Sequence, residues 1–235
     1  MAGKGKGALE RLRKGVLRAN VEIARRGLAQ FTFGNASGID RSRGLVVIKP
    51  SGVAYDRLRA ETLVVTDLEG KVVKGKLKPS SDLATHLVLY RAFGGIGGIV
   101  HTHSHYATVW AQAAREIPCF GTTHADYFDG AVPVTAPLGA GEIARDYEAN
   151  TGHAIVRRFK GLDPLRMPAV LVAGHASFCW GATVDAALET AAVLEEVARM
   201  AHDTLALGGT ALGIPDFLRD KHFSRKHGPD AYYGQ

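Results

Sequence analysis

Two histidines separated by one residue, His101 and His103, carry the clearest chemical signal in this 235-residue sequence. They follow the apolar pair Ile99 and Val100, which predicts a short buried strand. On a strand, residues i and i+2 project from the same face, so we expect the two imidazoles to lie side by side. Imidazole nitrogens bind Zn²⁺, and a catalytic zinc site uses three protein ligands and one open position. The pair therefore predicts two ligands of a metal site.

Two further residues could complete this site. His175 follows Gly174 at the end of a second apolar run, residues 169–173, where a bend can direct its side chain into a cleft. We predict it as the third ligand. Asp82 lies at a predicted helix start and would be a fourth ligand or a base beside the metal. A histidine pair at this spacing also occurs by chance, so spacing alone leaves a purely structural role open.

Two polar clusters that contain glycine, residues 34–38 and 49–52, could bind an anion. Together with Ser80 and Ser81 at the predicted helix start, they offer backbone N–H groups, hydroxyls and one ammonium to a phosphate. The alternative is that each cluster is an ordinary turn. Neither cluster matches a P-loop or a dinucleotide fingerprint, which disfavours a nucleotide-binding protein.

The elements that would position these residues are short strands and helices in irregular order. Hydrophobic spacing predicts helices over residues 8–26, 79–93, 104–114, 140–159, 183–207 and 216–227, and strands over 30–32, 45–49, 63–67, 72–77, 99–103 and 169–173. Either Ser80 or Ser81 is the expected N-cap of the second helix. Because strands occur in runs, we expect one α/β domain over residues 1–235, with a mixed or antiparallel sheet covered by helices.

Composition excludes several classes of protein. Apolar residues make up 46% and charged residues 22%, as in an ordinary globular chain. Cys119 and Cys179 are expected to be reduced thiols of a cytoplasmic protein, and we expect neither a membrane span nor a secretory signal. The net charge of +6 is dispersed, which favours a solvated surface over a nucleic-acid interface. Salt-dependent binding to DNA would reveal the alternative.

A series of ordered motifs extends over nearly the whole chain. They occupy residues 33–37, 47–53, 78–82, 96–104, 110–113, 121–128, 220–228 and 231–235. Together they resemble the L-ribulose-5-phosphate 4-epimerase family of the class II aldolase and epimerase superfamily. The resemblance implies a single α/β domain with a central antiparallel sheet between helical layers. It also implies a C4 homotetramer with active sites between adjacent subunits.

The resemblance further implies a role for each matching residue. A divalent ion, usually Zn²⁺, would be held by Asp82, His101, His103 and His175. The phosphate of a sugar-phosphate substrate would be surrounded by Asn35, Lys49, Ser51, Gly52, Ser80 and Ser81. Asp126 and Tyr233 of the neighbouring subunit would be the acid and base groups, and Thr122 and His222 would be further active-site residues.

The reaction implied by the resemblance interconverts L-ribulose 5-phosphate and D-xylulose 5-phosphate. C4 carries no acidic hydrogen, so the expected route breaks and re-forms the C3–C4 bond. Aldolases of the superfamily have Glu where this chain has Asp82, which favours epimerisation over net cleavage. An aldolase that releases a ketone and an aldehyde is the first alternative, and a non-catalytic adducin-like interaction domain is the second.

One residue departs from the family pattern. Ala176 follows His175, where the family usually has Gly. If that position needs a positive φ, alanine costs about 1 kcal/mol and tilts the imidazole of His175.

Overall fold

The computed structural model of the chain describes residues 2–208, 211–229 and 231–233, so the last two residues of the C-terminal motif, Gly234 and Gln235, lie outside the described residues. Its helices are α1 Ala2–Arg25, α2 Leu83–Ala92, α3 His105–Gln112, α4 Thr122–Ala125, α5 Ala140–Ala144, α6 Tyr147–Arg158, α7 Val184–Ala206 and α8 Asp216–His227. Its strands are β1 Asn35–Asp40, β2 Leu45–Ile48, β3 Val64–Asp67, β4 Val72–Lys74, β5 Gly98–Thr102, β6 Ala169–Leu171 and β7 Ser177–Gly181.

The seven strands of the described chain form one sheet in the order β4-β3-β2-β1-β5-β7-β6. Every neighbouring pair is antiparallel. In the middle of the sheet, Asn35 of β1 lies opposite His101 of β5, and His101 lies opposite Phe178 of β7. The α/β class is confirmed, and of the two predicted sheet types the antiparallel one is correct.

Helices α1 and α7 cover one face of the sheet, and Gly38 of β1 lets them come close. A Cβ on Gly38 would lie 2.6 Å from Val184 Cγ2 and 2.7 Å from Leu12 Cδ1. The neighbouring residue Ser37 points to the opposite face, because successive side chains of a strand alternate. There its hydroxyl lies 2.7 Å from His86 Nδ1 of α2. Helix α2 therefore packs on the second face, and α6 packs on α2.

Strand β1 corrects the predicted strand at residues 30–32, which form no strand. All of its residues except Ile39 are small or polar, so local β-propensity only weakly indicates a strand here. Packing explains the small residue at the centre of this strand, because a side chain at Gly38 would collide with α1 and α7. The buried side chain of Asn20 in α1 also bonds the backbone of Ala36, accepting from its N–H at 2.8 Å and donating to its carbonyl at 3.1 Å.

Two further predictions about elements are wrong, and one strand was missed. The single helix over residues 140–159 is two helices, α5 and α6, because Asp146 adopts a left-handed conformation with φ 51°. The N-cap of α2 is Asp82 rather than Ser80 or Ser81. Strand β7, which follows the turn that holds His175, was not predicted.

Two expectations from composition concern the thiols and membrane insertion. Cys119 and Cys179 are both free thiols. None of the helices in the described ranges combines the length and the apolar character that a membrane crossing requires.

Candidate active site

Three imidazoles meet at the C-terminal end of β5, an inner strand of the sheet. His101 lies in β5, His103 follows that strand, and His175 lies in the turn between β6 and β7. Their candidate ligand atoms all lie within 4.8 Å of one another, and the Nε2 atoms of His101 and His175 are 3.3 Å apart. A tetrahedral cation with metal–nitrogen bonds of about 2.0–2.1 Å separates its ligand nitrogens by about 3.3–3.4 Å. The His101–His175 pair therefore has the separation of two ligands of one cation, and His103 lies close enough to complete the group.

The strand register determines how the ring of His101 is held. Its Nδ1 lies 2.8 Å from the carbonyl oxygen of Ser177 in β7. The ring of Phe178 stacks on it with centroids 4.2 Å apart. Because a carbonyl can only accept, the proton of a neutral His101 lies on Nδ1 and the lone pair of Nε2 points to the cluster. This is the tautomer that a metal ligand needs.

The turn that presents His175 does not strain Ala176. The residue of this turn with positive φ is Gly174, at 71°, and Ala176 lies outside the left-handed region. The expected tilt of the His175 ring therefore does not arise. Alanine in place of glycine leaves His175 in contact with His101.

Asp82 lies beside the imidazole cluster because it is the N-cap of α2. Its Oδ2 is 4.0 Å from His101 Nε2 and accepts a hydrogen bond of 2.7 Å from Asn35 Nδ2. Burial raises the pKa of the carboxyl, but the charges of His101 and His86 and the bond from Asn35 outweigh burial and leave the pKa below its usual value. Asp82 is therefore an anion next to the three rings at neutral pH.

Burial also keeps two of the rings in the form that binds metal. It lowers the pKa of His175 to about 4 and lowers the pKa of His103 below its ordinary value, with the neighbouring rings acting in the same direction. Both imidazoles are therefore neutral at neutral pH. Neutral imidazole is the state that donates a lone pair to a metal ion.

A cleft of about 350 Å³ opens over this cluster. Its lining includes all four predicted metal ligands and all six predicted phosphate-binding residues, namely Asp82, His101, His103, His175, Asn35, Lys49, Ser51, Gly52, Ser80 and Ser81. Residues 49–52 and 78–81 carry all the predicted phosphate-binding residues except Asn35, and two backbone hydrogen bonds join these two segments: Ser51 N donates to Lys78 O at 3.0 Å, and Ser80 N donates to Lys49 O at 2.9 Å. Of the first polar cluster, Gly34 and Asn35 line the cleft. Residues 36–38 continue along β1 and are absent from the described lining.

Lys49 gives the cleft its one buried ammonium within the described lining, and the residue is only 2% exposed. Its Nζ has a long contact of 3.4 Å with Thr32 O and lies 5.0 Å from the centre of the Tyr55 ring. Burial lowers the pKa of Lys49, and the negative charge of Asp82 opposes that effect. An anion in the cleft would provide the charged partner that Lys49 lacks in this arrangement.

The other four predicted residues lie outside the part of the cleft that the described residues line. His222 Nδ1 is 3.0 Å from Asp126 Oδ1, and Arg225 donates two hydrogen bonds of 3.0 and 2.8 Å to the same carboxylate. The Arg225 guanidinium lies 4.2 Å from the centre of the Tyr233 ring. We call Asp126, His222, Arg225 and Tyr233 the Asp126 cluster. Thr122 adjoins it, since its carbonyl accepts from Asp126 N at 2.9 Å.

Comparison with known proteins assigns the chain to a family. Residues 14–202 match the Class II Aldolase and Adducin N-terminal domain family. The chain belongs to this family. L-ribulose-5-phosphate 4-epimerase UlaF of Salmonella paratyphi B is 50% identical over 227 residues, which cover 97% of this chain and 100% of UlaF. UlaF of Salmonella typhi has the same identity and coverage.

Solved structures have the same class II aldolase fold. An L-fuculose 1-phosphate aldolase is 25% identical with a TM-score of 0.78, covering 92% of this chain and 95% of its own. YgbL of Klebsiella pneumoniae, named as an aldolase, epimerase or decarboxylase, is 26% identical with a TM-score of 0.72, covering 90% of this chain and 97% of its own. The predicted fold and family are confirmed. The family is metal-dependent, and the histidine cluster could hold the ion.

Sequence reasoning missed one aromatic residue of the cleft lining and two residues that contact predicted site residues. Phe33 lines the cleft with its ring 6.1 Å from that of His103, although it is an exposed aromatic residue with no chemical signature of its own. Arg225 lies within a recognised motif, but its pairing with Asp126 spans 99 positions of sequence. Tyr147, whose hydroxyl contacts His175, lies in a segment that reads as a helix interior.

Proposed function

We propose that this protein is an L-ribulose-5-phosphate 4-epimerase, with residues 1–235 as one domain, that converts L-ribulose 5-phosphate to D-xylulose 5-phosphate and back. The observation that carries this proposal is that one cleft combines the imidazole cluster and Asp82 with a buried lysine and a set of hydroxyls. Half-identical relatives over nearly the full chain bear the same activity in their names and support it.

The phosphate of the substrate binds at the end of the cleft formed by the two joined segments. Lys49 supplies positive charge, and Ser51, Ser80 and Ser81 supply hydroxyls. Gly52 has a φ of 67° and no atom within 4 Å of the position of a Cβ, so a ligand can approach its backbone closely. Asn35 orients one of these hydroxyls, because its Nδ2 donates a hydrogen bond of 3.1 Å to Ser80 Oγ. These contacts hold the phosphate through the whole reaction.

The three imidazoles and Asp82 would hold a divalent cation, which we propose to be Zn²⁺. Neutral imidazoles and an ionised carboxylate are suitable donors for this ion. When bound, the cation would supply Lewis acidity that stabilises the negative charge formed as electrons enter the C2 ketone. The chain contributes the orientation of the rings through Ser177 and Phe178, and the placement of Asp82 through its bond from Asn35.

The stereochemical change at C4 requires a proton carrier on each face of that carbon. A base removes the proton of the C4 hydroxyl as the C3–C4 bond breaks, leaving a dihydroxyacetone enediolate and glycolaldehyde phosphate. The phosphate contacts retain the aldehyde while its carbonyl presents the other face. An acid then returns a proton to the C4 oxygen as the bond re-forms.

Asp126 and Tyr233 of a neighbouring subunit fill these two positions in a homotetramer. Burial raises the pKa of Asp126, but the hydrogen bonds from Arg225 and His222 outweigh burial and leave the pKa below its usual value. An ionised Asp126 is suited to accept a proton, and the hydroxyl of Tyr233 is suited to donate one. We place Thr122 and His222 beside them in the same intersubunit site, and we propose that the enzyme works in the cytoplasm.

The deciding experiment incubates Zn²⁺-loaded protein with L-ribulose 5-phosphate and measures D-xylulose 5-phosphate. A His103→Ala variant should lose both bound zinc and activity. A His153→Ala variant is the matched control, since His153 is exposed on α6 outside the cleft lining, and it should retain both. Epimerisation by metal-free protein would refute the mechanism. Stoichiometric release of free glycolaldehyde phosphate would assign an aldolase instead.

A further inference from the structure

Tyr147 contacts the imidazole cluster from outside the cleft. Its hydroxyl oxygen is 3.2 Å from His175 Nδ1, and the two rings meet edge to face with centroids 6.2 Å apart. The opposite nitrogen of His175, Nε2, is the one that faces His101. Tyr147 is absent from the part of the cleft lining that the described residues form, so it is placed to act on His175 rather than on a substrate.

Backbone conformation places Tyr147 at this point. Asp146 has a φ of 51°, which ends the preceding segment and makes Tyr147 the first residue of α6. Thr151, one turn later in α6, donates its hydroxyl to the Tyr147 carbonyl at 3.0 Å. The hydroxyl of Thr85 in α2 donates to the carbonyl of Glu148 at 2.6 Å. The first turn of α6 is thus tied both to itself and to α2.

A close helix contact ties Tyr147 to the same unit as Asp82. A Cβ on Gly152 of α6 would lie 2.7 Å from Val88 Cβ of α2, so glycine lets the two helices approach closely. Asp82 is the N-cap of α2 and Tyr147 begins α6. The helix pair therefore presents one polar group from each helix to the cluster that the sheet provides.

The hydrogen bond to Tyr147 has a specific chemical consequence for His175. A histidine that binds a cation through Nε2 carries its proton on Nδ1, and that proton needs an acceptor. For His101 the acceptor is the Ser177 carbonyl, and for His175 the nearest counterpart is the Tyr147 oxygen.

We propose that Tyr147 is a positioning residue whose hydroxyl oxygen accepts the Nδ1 proton of His175 when Nε2 binds the cation, and so holds the ring in the orientation that the metal site needs. This inference rests on the metal site of the proposed function. It assigns Tyr147 no contact with the substrate and no proton transfer in the reaction.

The test measures Zn²⁺ affinity of the metal-free protein by competition with a chromogenic chelator, for the wild type and for Tyr147→Phe. The variant should bind zinc roughly 10- to 100-fold more weakly, as is typical when the hydrogen-bond partner of a ligand is removed. The thermal midpoint of the metal-free form should stay within the range of the control. At saturating zinc the turnover number should return close to that of the wild type, because no proton carrier is lost.

Tyr106→Phe is the matched control, because the hydroxyl of Tyr106 makes no hydrogen bond to any described residue and it lies outside the cleft lining. It should leave zinc affinity unchanged. Zinc affinity of Tyr147→Phe within twofold of the wild type would overturn the inference. So would a parallel fall in the thermal midpoint of the metal-free form, which would assign Tyr147 a packing role. A wild type that binds zinc without epimerising would refute the proposed activity and leave this inference standing.

Discussion

Replacing Gly34 by alanine should destabilise the fold at the point where β1 meets the metal-site strand. Gly34 has a φ of 75°, and a Cβ there would lie 2.6 Å from His101 O and 3.3 Å from Thr102 Cα. Both contacts are backbone atoms of β5, so no side-chain rotation relieves them. The left-handed conformation costs an L-residue about 1 kcal/mol, and overpacking adds about 1–3 kcal/mol. The expected loss in the free energy of unfolding is therefore roughly 2–4 kcal/mol.

Gly27→Ala separates the steric part of this loss from the conformational part. Gly27 has a nearly equal φ of 69°, but nothing lies within 4 Å of its Cβ position. The control should lose only about 1 kcal/mol. In a chain of this size, 1 kcal/mol lowers the thermal midpoint by about 2–4 °C.

Thermal and urea unfolding of both variants should therefore show the larger loss in Gly34→Ala. Zinc affinity should fall in Gly34→Ala as well, because relief of the contact separates the backbone of residue 34 from that of His101, next to which Asn35 and Asp82 are held. Equal destabilisation of the two variants would show that the reasoning from the 2.6 Å contact is wrong.

Three other predictions follow from the site and the core. Lys49→Met should raise the KM for the sugar phosphate roughly 10- to 100-fold in steady-state kinetics, since a bond to a charged group is lost; an unchanged KM would remove Lys49 from the phosphate site. Asp126→Asn and Tyr233→Phe should each reduce turnover while zinc content measured by atomic absorption stays normal, and a matching loss of zinc would exclude the variant residue as a proton carrier. Burial lowers the pKa of His124 to about 4, against about 6.5 when unfolded, so its contribution to stability is complete above pH 6.5 and falls by up to about 3 kcal/mol as pH drops toward 4. Urea unfolding of His124→Gln should show a smaller loss over that interval than the wild type, and an equal loss would refute this assignment.

Local patterns in the sequence were sufficient for the central part of the metal site. The spacing of His101 and His103 on an apolar strand predicted that two imidazoles would lie together, and the structure brings them to a centroid distance of 5.0 Å. Helical spacing also located α7 and α8 closely, and Thr183 caps α7 by accepting from Ala186 N at 3.1 Å. These features depend on residues near one another in sequence.

Local sequence patterns did not predict the elements that depend on contacts between distant residues. Strand β1 carries Gly38 because α1 and α7 pack closely against it, and Asn35 at its start lines the cleft. The break at Asp146 is visible only in its left-handed backbone, and it places Tyr147 beside His175. The Asp126 cluster joins α4 to α8, and nothing in the local pattern indicates that it forms apart from the described cleft lining.

The sequence by itself determined which donor groups are available and, through strand and helix periods, which neighbouring residues share a face. Only the tertiary structure decided that His175, Asp82 and Lys49 meet His101 in one cleft, because antiparallel register and the joined backbone segments bring them together across long loops. Periodicity acts over a few residues, whereas close packing and hydrogen bonding between distant segments depend on the whole fold.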